Sequence, residues 1–246
     1  MYGLIHTEVL KLRTVRSPWL LLAAAPLLVA AGVSGLVVSG KKALDTTTQS
    51  GALSHVGLTS MFTLVFGILA VAGEYRHKTI TDTYLSTPAR GRVIGAKLLV
   101  YAVFGALAGV VSSLTGLGVA AAWWSDKAVP FVWSDSQIWT TIGGGIAWNA
   151  AFAAIGVGVG ALIRSLVGAV AVALAWVALV EGIVGQLIGN LARWLPFNAG
   201  QALGAGAKAM AGENLLPRVG GGVVLAIYTL IFAVLAVTTG MRRDVS

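Results

Sequence analysis

Six stretches of this chain carry little or no charge, and each is about as long as a helix needs to cross a lipid bilayer. Residues 19–40 are the clearest case, because no Asp, Glu, Lys or Arg interrupts them. At about 1.5 Å rise per residue, roughly 20 apolar residues span the hydrocarbon layer. Comparable runs lie at about 54–73, 95–124, 138–163, 166–188 and 219–240. The expected fold is therefore an all-α membrane protein of six transmembrane helices (residues 19–246), preceded by a short segment of different character at residues 1–18.

Composition closes off the soluble alternatives. Only 11% of residues are charged and 57% are hydrophobic, against about 25% charged in an ordinary soluble domain, so a water-facing surface cannot be assembled. With no cysteine, neither a disulfide framework nor a thiolate metal site is available. The net charge of +8 comes from basic residues at the ends of apolar runs, which anionic lipid and the positive-inside rule explain without nucleic acid.

Orientation follows from the same residues. With both termini inside, the inner segments hold Lys11, Arg13, Arg16, Arg76, Lys78, Arg90, Arg92, Lys97, Arg164, Arg242 and Arg243, against Lys41, Lys42, Lys127, Arg193, Lys208 and Arg218 outside, an 11 to 6 division of the 17 basic residues. Trp123, Trp124, Trp133 and Trp139 bracket the second outer loop, as interfacial rings do. The predicted location is a bacterial-type cytoplasmic membrane.

Within residues 1–18, Ile5, Val9 and Leu12 recur at helical spacing among Lys11, Arg13 and Arg16. This predicts a basic amphipathic helix on the cytoplasmic leaflet. The uncharged run after it exceeds the 7–15 or so residues of a cleavable signal, so it is read as a retained first span. Gly105 and Gly109, Gly156 and Gly160, and Gly185 and Gly189 have the spacing that lets membrane helices approach closely.

Between the second and third spans, Thr79-Ile80-Thr81-Asp82 has the form of a capping box and predicts a short helix starting at Thr79, with Ile80, Tyr84 and Leu85 on one apolar side and Pro88 at its end. Glu74, Arg76, the Thr79-Ile80 step, Pro88, Arg90 and Lys97 resemble the cytoplasmic loop of ATP-binding-cassette type-2 exporter permeases. Glu8, Lys11, Arg13 and Arg16 before Trp19 resemble that family's opening connecting helix. One departure is Lys78, where many relatives have Gly. The resemblance implies a coupling helix docking on a separate ATPase through Glu74, Arg76, Thr79, Ile80, Asp82, Tyr84 and Leu85. It also implies a second permease subunit, with ATP and Mg²⁺ held by the partner and no cofactor in this chain.

A nucleotide site of its own is not expected. Residues 35–42 read Gly-Leu-Val-Val-Ser-Gly-Lys-Lys, which ends in Lys where a P-loop needs its Mg²⁺-binding hydroxyl and lacks the strand context. No catalytic residue and no metal site are assigned.

In the resembled family the two permeases meet near the second and fifth spans, around the translocation path. Here those spans offer Thr59, Phe62, Thr63 and Phe66, and Trp176, Val180, Glu181 and Gln186, a lining suited to an amphiphilic or hydrophobic cargo such as a drug, antibiotic, peptide or lipid. Glu181 is the one acid well inside a span and requires a partner, a cavity or water. Residues 189–218, too apolar for a free loop and too broken for a span, predict an outer helical element at the outer leaflet. The competing functions are a proton-coupled carrier using Glu181, and a lipid-modifying membrane enzyme. His6, His55 and His77 lie on separate segments, against the second of these.

Overall fold

A computed structural model describes residues 1–15, 17–39, 46–205 and 215–242. Arg16, Lys41, Lys42, Lys208 and Arg243 of the charge count, and most of the outer segment after Ala205, lie outside the described residues.

The described elements are all helical. In order they are α1 (Tyr2–Thr14), α2 (Ser17–Val38), α3 (Thr46–Leu53), α4 (His55–Leu58), α5 (Ser60–Arg76), α6 (Ile80–Ser86), α7 (Arg90–Asp126), α8 (Ser136–Ile163), α9 (Leu166–Ala175), a π-helical turn (Trp176–Glu181), α10 (Gly182–Leu187), α11 (Gly189–Ala192), α12 (Pro196–Ala205) and α13 (Arg218–Arg242). Six stretches are long and apolar enough to cross a membrane: Trp19–Val38, Thr48–Arg76, Arg90–Asp126, Ser136–Ile163, Leu166–Leu187 and Arg218–Thr239. The second reaches beyond the expected 54–73 to Thr48, where Gln49 is buried with a partner and so need not lie in water, and the third runs past 95–124 at both ends.

Spans 2 and 4 form the centre. A Cβ on Gly67 would collide with the Ala153 carbonyl, and one on Gly156 with that of Leu64, so the two backbones touch where only glycine permits it. Gly105 and Gly109 serve the same purpose between α7 and α8, whereas Gly185 meets only the Ala192 methyl at 4.0 Å and Gly189 meets nothing among the described residues.

Span 2 is broken around Thr59, and Asn149 of α8 accounts for the break. The Val56 carbonyl accepts from Asn149 Nδ2 (3.1 Å) and from Thr59 Oγ1 (2.7 Å), while Asn149 Oδ1 accepts from Thr59 Oγ1 at 2.9 Å. Side chains inserted in this way substitute for the helix ladder and bend it.

Trp124 is fully buried against Phe131 and belongs to the core, unlike the exposed Trp133 and Trp139 of the expected interfacial belt. The outer segment forms short helices, of which α12 is wedged between α8 and α13, with Ala199 and Ala202 buried and Gly200 against the Trp148 indole.

Candidate functional site

Four charged side chains from three helices converge at one end of the bundle. Lys97, on the first turns of α7, is fully buried; its Nζ donates to Glu8 Oε2 (2.8 Å), Glu74 Oε1 (2.7 Å) and the Ala70 carbonyl (3.0 Å). Lys11 Nζ donates to Glu8 Oε1 (3.0 Å) and Glu74 Oε1 (2.6 Å). Two acids and two bases cancel, and each lysine touches both carboxylates, the arrangement in which buried charge is tolerable. Burial works against the Lys11 ammonium, but Glu8 and Glu74 outweigh it and hold Lys11 above the ordinary lysine range.

This cluster fixes α1 to the bundle. Leu12 is buried and Ile5 and Val9 pack against the core formed by Phe66, Val71 and Tyr101, so the apolar side of α1 faces protein where the sequence suggested lipid. Trp19 Nε1 donates to the Leu12 carbonyl at 2.7 Å, holding the turn into span 1.

α6 packs beside it. α5 ends in a left-handed turn in which Thr79 N–H donates to Glu74 O (3.0 Å) and Lys78 N–H to Tyr75 O (3.2 Å), with Lys78 at φ 57°. These bonds make a Schellman motif, whose left-handed position favours glycine.

The expected capping box does not form. Thr79 enters α6 directly from that turn, in right-handed helical geometry with no side-chain cap, and the helix begins at Ile80. Ile80 and Tyr84 are buried against Val93, Leu4 and Tyr75, whereas Leu85 is 76% exposed and Asp82 is exposed. The apolar side of α6 therefore consists of Ile80 and Tyr84 alone, turned toward the bundle, while Leu85 points away. Arg76 is exposed; Arg90 stacks over Tyr84 and Arg164 over Tyr75, at 5.1 and 5.2 Å, which brings the α8–α9 turn to the same end.

A second locus lies toward the opposite end. The Glu181 carboxylate, on the last residue of the π turn, accepts from Phe197 N–H (3.0 and 3.1 Å), Asn198 N–H (3.1 Å) and Asn198 Nδ2 (3.3 Å). Those amides are orphan donors of the first turn of α12. Leu195, before Pro196, has no side-chain oxygen to cap them, so a carboxylate from another helix takes the role and meets the positive end of the dipole. The partner that the sequence left unidentified is thus a helix N-terminus.

Of the other residues assigned to a path, Thr59, Thr63 and Phe66 are buried between spans 2 and 4 or against α7, and Phe62 is half-buried. Trp176 is 44% exposed and lines an apolar cavity. Among the described residues no His, Asp or Glu cluster suits a metal ion.

The chain matches no family model and no curated protein. Its reading therefore rests on geometry and on residues. Lys97 and Asn149 are the participants that the sequence did not single out for these roles; a lone lysine at the start of an otherwise apolar run was the available signal.

Proposed function

We propose that this chain is the membrane-spanning subunit of an ATP-driven exporter of the ATP-binding-cassette type-2 class, pairing with a second permease and taking its energy from separate ATPase subunits. The observation that carries the reading is the double connection of α1 and α6 to spans 2 and 3. The Glu8–Lys11–Glu74–Lys97 cluster ties α1 to both spans, and Ile80 and Tyr84 tie α6 to them. Two short helices beyond the spans, joined rigidly to them and presenting Asp82 and Leu85 outward, form a foot through which an external motor transmits force. The basic residues gathered there favour a cytoplasmic position for it in a bacterial-type inner membrane. The cargo is an amphiphilic or hydrophobic molecule, and ATP and Mg²⁺ are bound by the partner.

The driving free energy enters as a difference in ATPase affinity for two arrangements of the foot, so no covalent chemistry is assigned to this chain. A proton-coupled carrier through Glu181 is the weaker reading, since that carboxylate is occupied by four hydrogen bonds from Phe197 and Asn198.

The test is co-purification with an ATP-binding-cassette ATPase from the same source, followed by vanadate-sensitive hydrolysis in liposomes. Hydrolysis that requires both subunits supports the proposal. ATP turnover by the isolated chain, or a complex that never forms, ends it.

A further inference from the structure

Two cavities of opposite character adjoin at the π turn of span 5. The first, about 270 Å³, lies between spans 2, 4, 5 and 6 and is almost wholly apolar, walled by Phe152, Val159, Ala173, Trp176 and Phe232. The second, about 520 Å³, is half polar and holds Glu181, Gln186, Arg193, Asn198 and Gln201. Val177 lines both, and consecutive residues Pro196 and Phe197 face one each.

We infer that the pair forms one binding site for a single-chain amphiphile with an anionic head, the chain in the apolar slot and the carboxylate or phosphate beside Arg193. The charge argument selects the sign. Among the described residues, Glu181 and Arg193 are the formally charged ones lining the polar chamber. The Glu181 oxygens are already occupied by the amides at the start of α12, whereas Arg193 stacks on Trp194 and its buried Nε has no hydrogen-bond partner among the described residues. A guanidinium with no ion pair among the described residues, in a chamber next to a helix N-terminus, favours a planar or tetrahedral anion.

Size selects the chain number. At about 270 Å³ the slot falls just below the roughly 300–1,000 Å³ typical of small-molecule pockets, a size that suits one unbranched chain and not two. The π turn is what brings the two cavities together. Its wider helical turn carries Trp176 to the apolar slot and Glu181 to the polar chamber within six residues.

This goes beyond the exporter reading, because binding requires neither ATPase nor transport, and it is measured on the isolated chain in neutral maltoside micelles. The probe is a fluorescent polyene fatty acid, displaced by lysophosphatidate or by cetyltrimethylammonium. Saturable binding that lysophosphatidate displaces and the cationic amphiphile does not is the expected result. Arg193→Gln should weaken it by about tenfold, and Ala173→Phe, which fills the slot, should abolish it with the thermal unfolding unchanged. If Ala173→Phe does not fold, Arg193→Gln still decides. Binding of equal strength in that variant, displacement by the cation, or mere unsaturable partitioning overturns the inference whatever the ATPase experiment gives.

Discussion

Lys97 and Glu8 lie 89 positions apart in sequence and meet at 2.8 Å, with the lysine fully buried. Removing the lysine leaves Glu8 and Glu74 sharing Lys11 alone, so Lys97→Met should destabilise the chain by about 3–5 kcal/mol. The loss should be visible as a lower unfolding temperature in detergent and faster proteolysis within α1. Combining it with Glu8→Gln, which removes one of the stranded charges, should recover part of the loss. A double variant as unstable as the sum of the singles would show that the two residues are not coupled.

The same cluster predicts a pH response. Lys11 is held above its ordinary value of 10.5 by Glu8 and Glu74 against the opposing effect of burial. A raised lysine contributes stability fully below its unfolded value and loses it as pH climbs through the folded one. Unfolding temperature should therefore fall more steeply above about pH 10.5 in the natural chain than in Lys11→Met. Parallel curves would remove Lys11 from the account.

On α6 two neighbouring faces separate docking from folding. Leu85→Asp, at an exposed position, should abolish co-purification with the ATPase and leave the stability within about 0.5 kcal/mol of the original. Ile80→Asp places a charge at a buried site and should unfold the foot itself. Retained ATPase binding by Leu85→Asp would show that this face is not the docking surface.

Lys78 adopts φ 57° at the end of span 2. A side chain in that region costs about 1 kcal/mol, partly offset by the chain entropy a glycine would lose. Lys78→Gly should raise stability slightly, and Lys78→Val should lower it. A destabilised glycine variant would refute the left-handed turn.

For Glu181 the expected deficit is structural as well as functional. Glu181→Leu strands the Phe197 and Asn198 amides and should cost about 2 kcal/mol, with Glu181→Gln retaining one acceptor and losing less. Both should increase hydrogen exchange in the first turn of α12. Unchanged exchange in the leucine variant would mean that the carboxylate does not hold that helix.

The long apolar runs were legible because the bilayer imposes length and polarity on each run independently. α1 and α6 were legible for a related reason, since helical spacing and breaker residues act locally. What was not legible depends on pairing across sequence. Nothing near Lys97 indicates Glu8, and nothing near Glu181 indicates that the first turn of α12 lacks a cap of its own. The Thr79 box failed because its backbone was already committed to the turn closing α5, which a four-residue pattern cannot register. Thr59 and Thr63 looked like pore hydroxyls because a hydroxyl facing water and one facing Asn149 are written with the same letter.

Gly67 and Gly156 leave no clearance between spans 2 and 4, where carbonyl oxygens occupy the space of missing methyl groups. Two rods meshed at that separation cannot slide past each other without a collision at every turn. The pair is thus a keel, and any relative movement within the bundle has to be taken up by the parts around it, of which spans 1, 5 and 6 are the least covered.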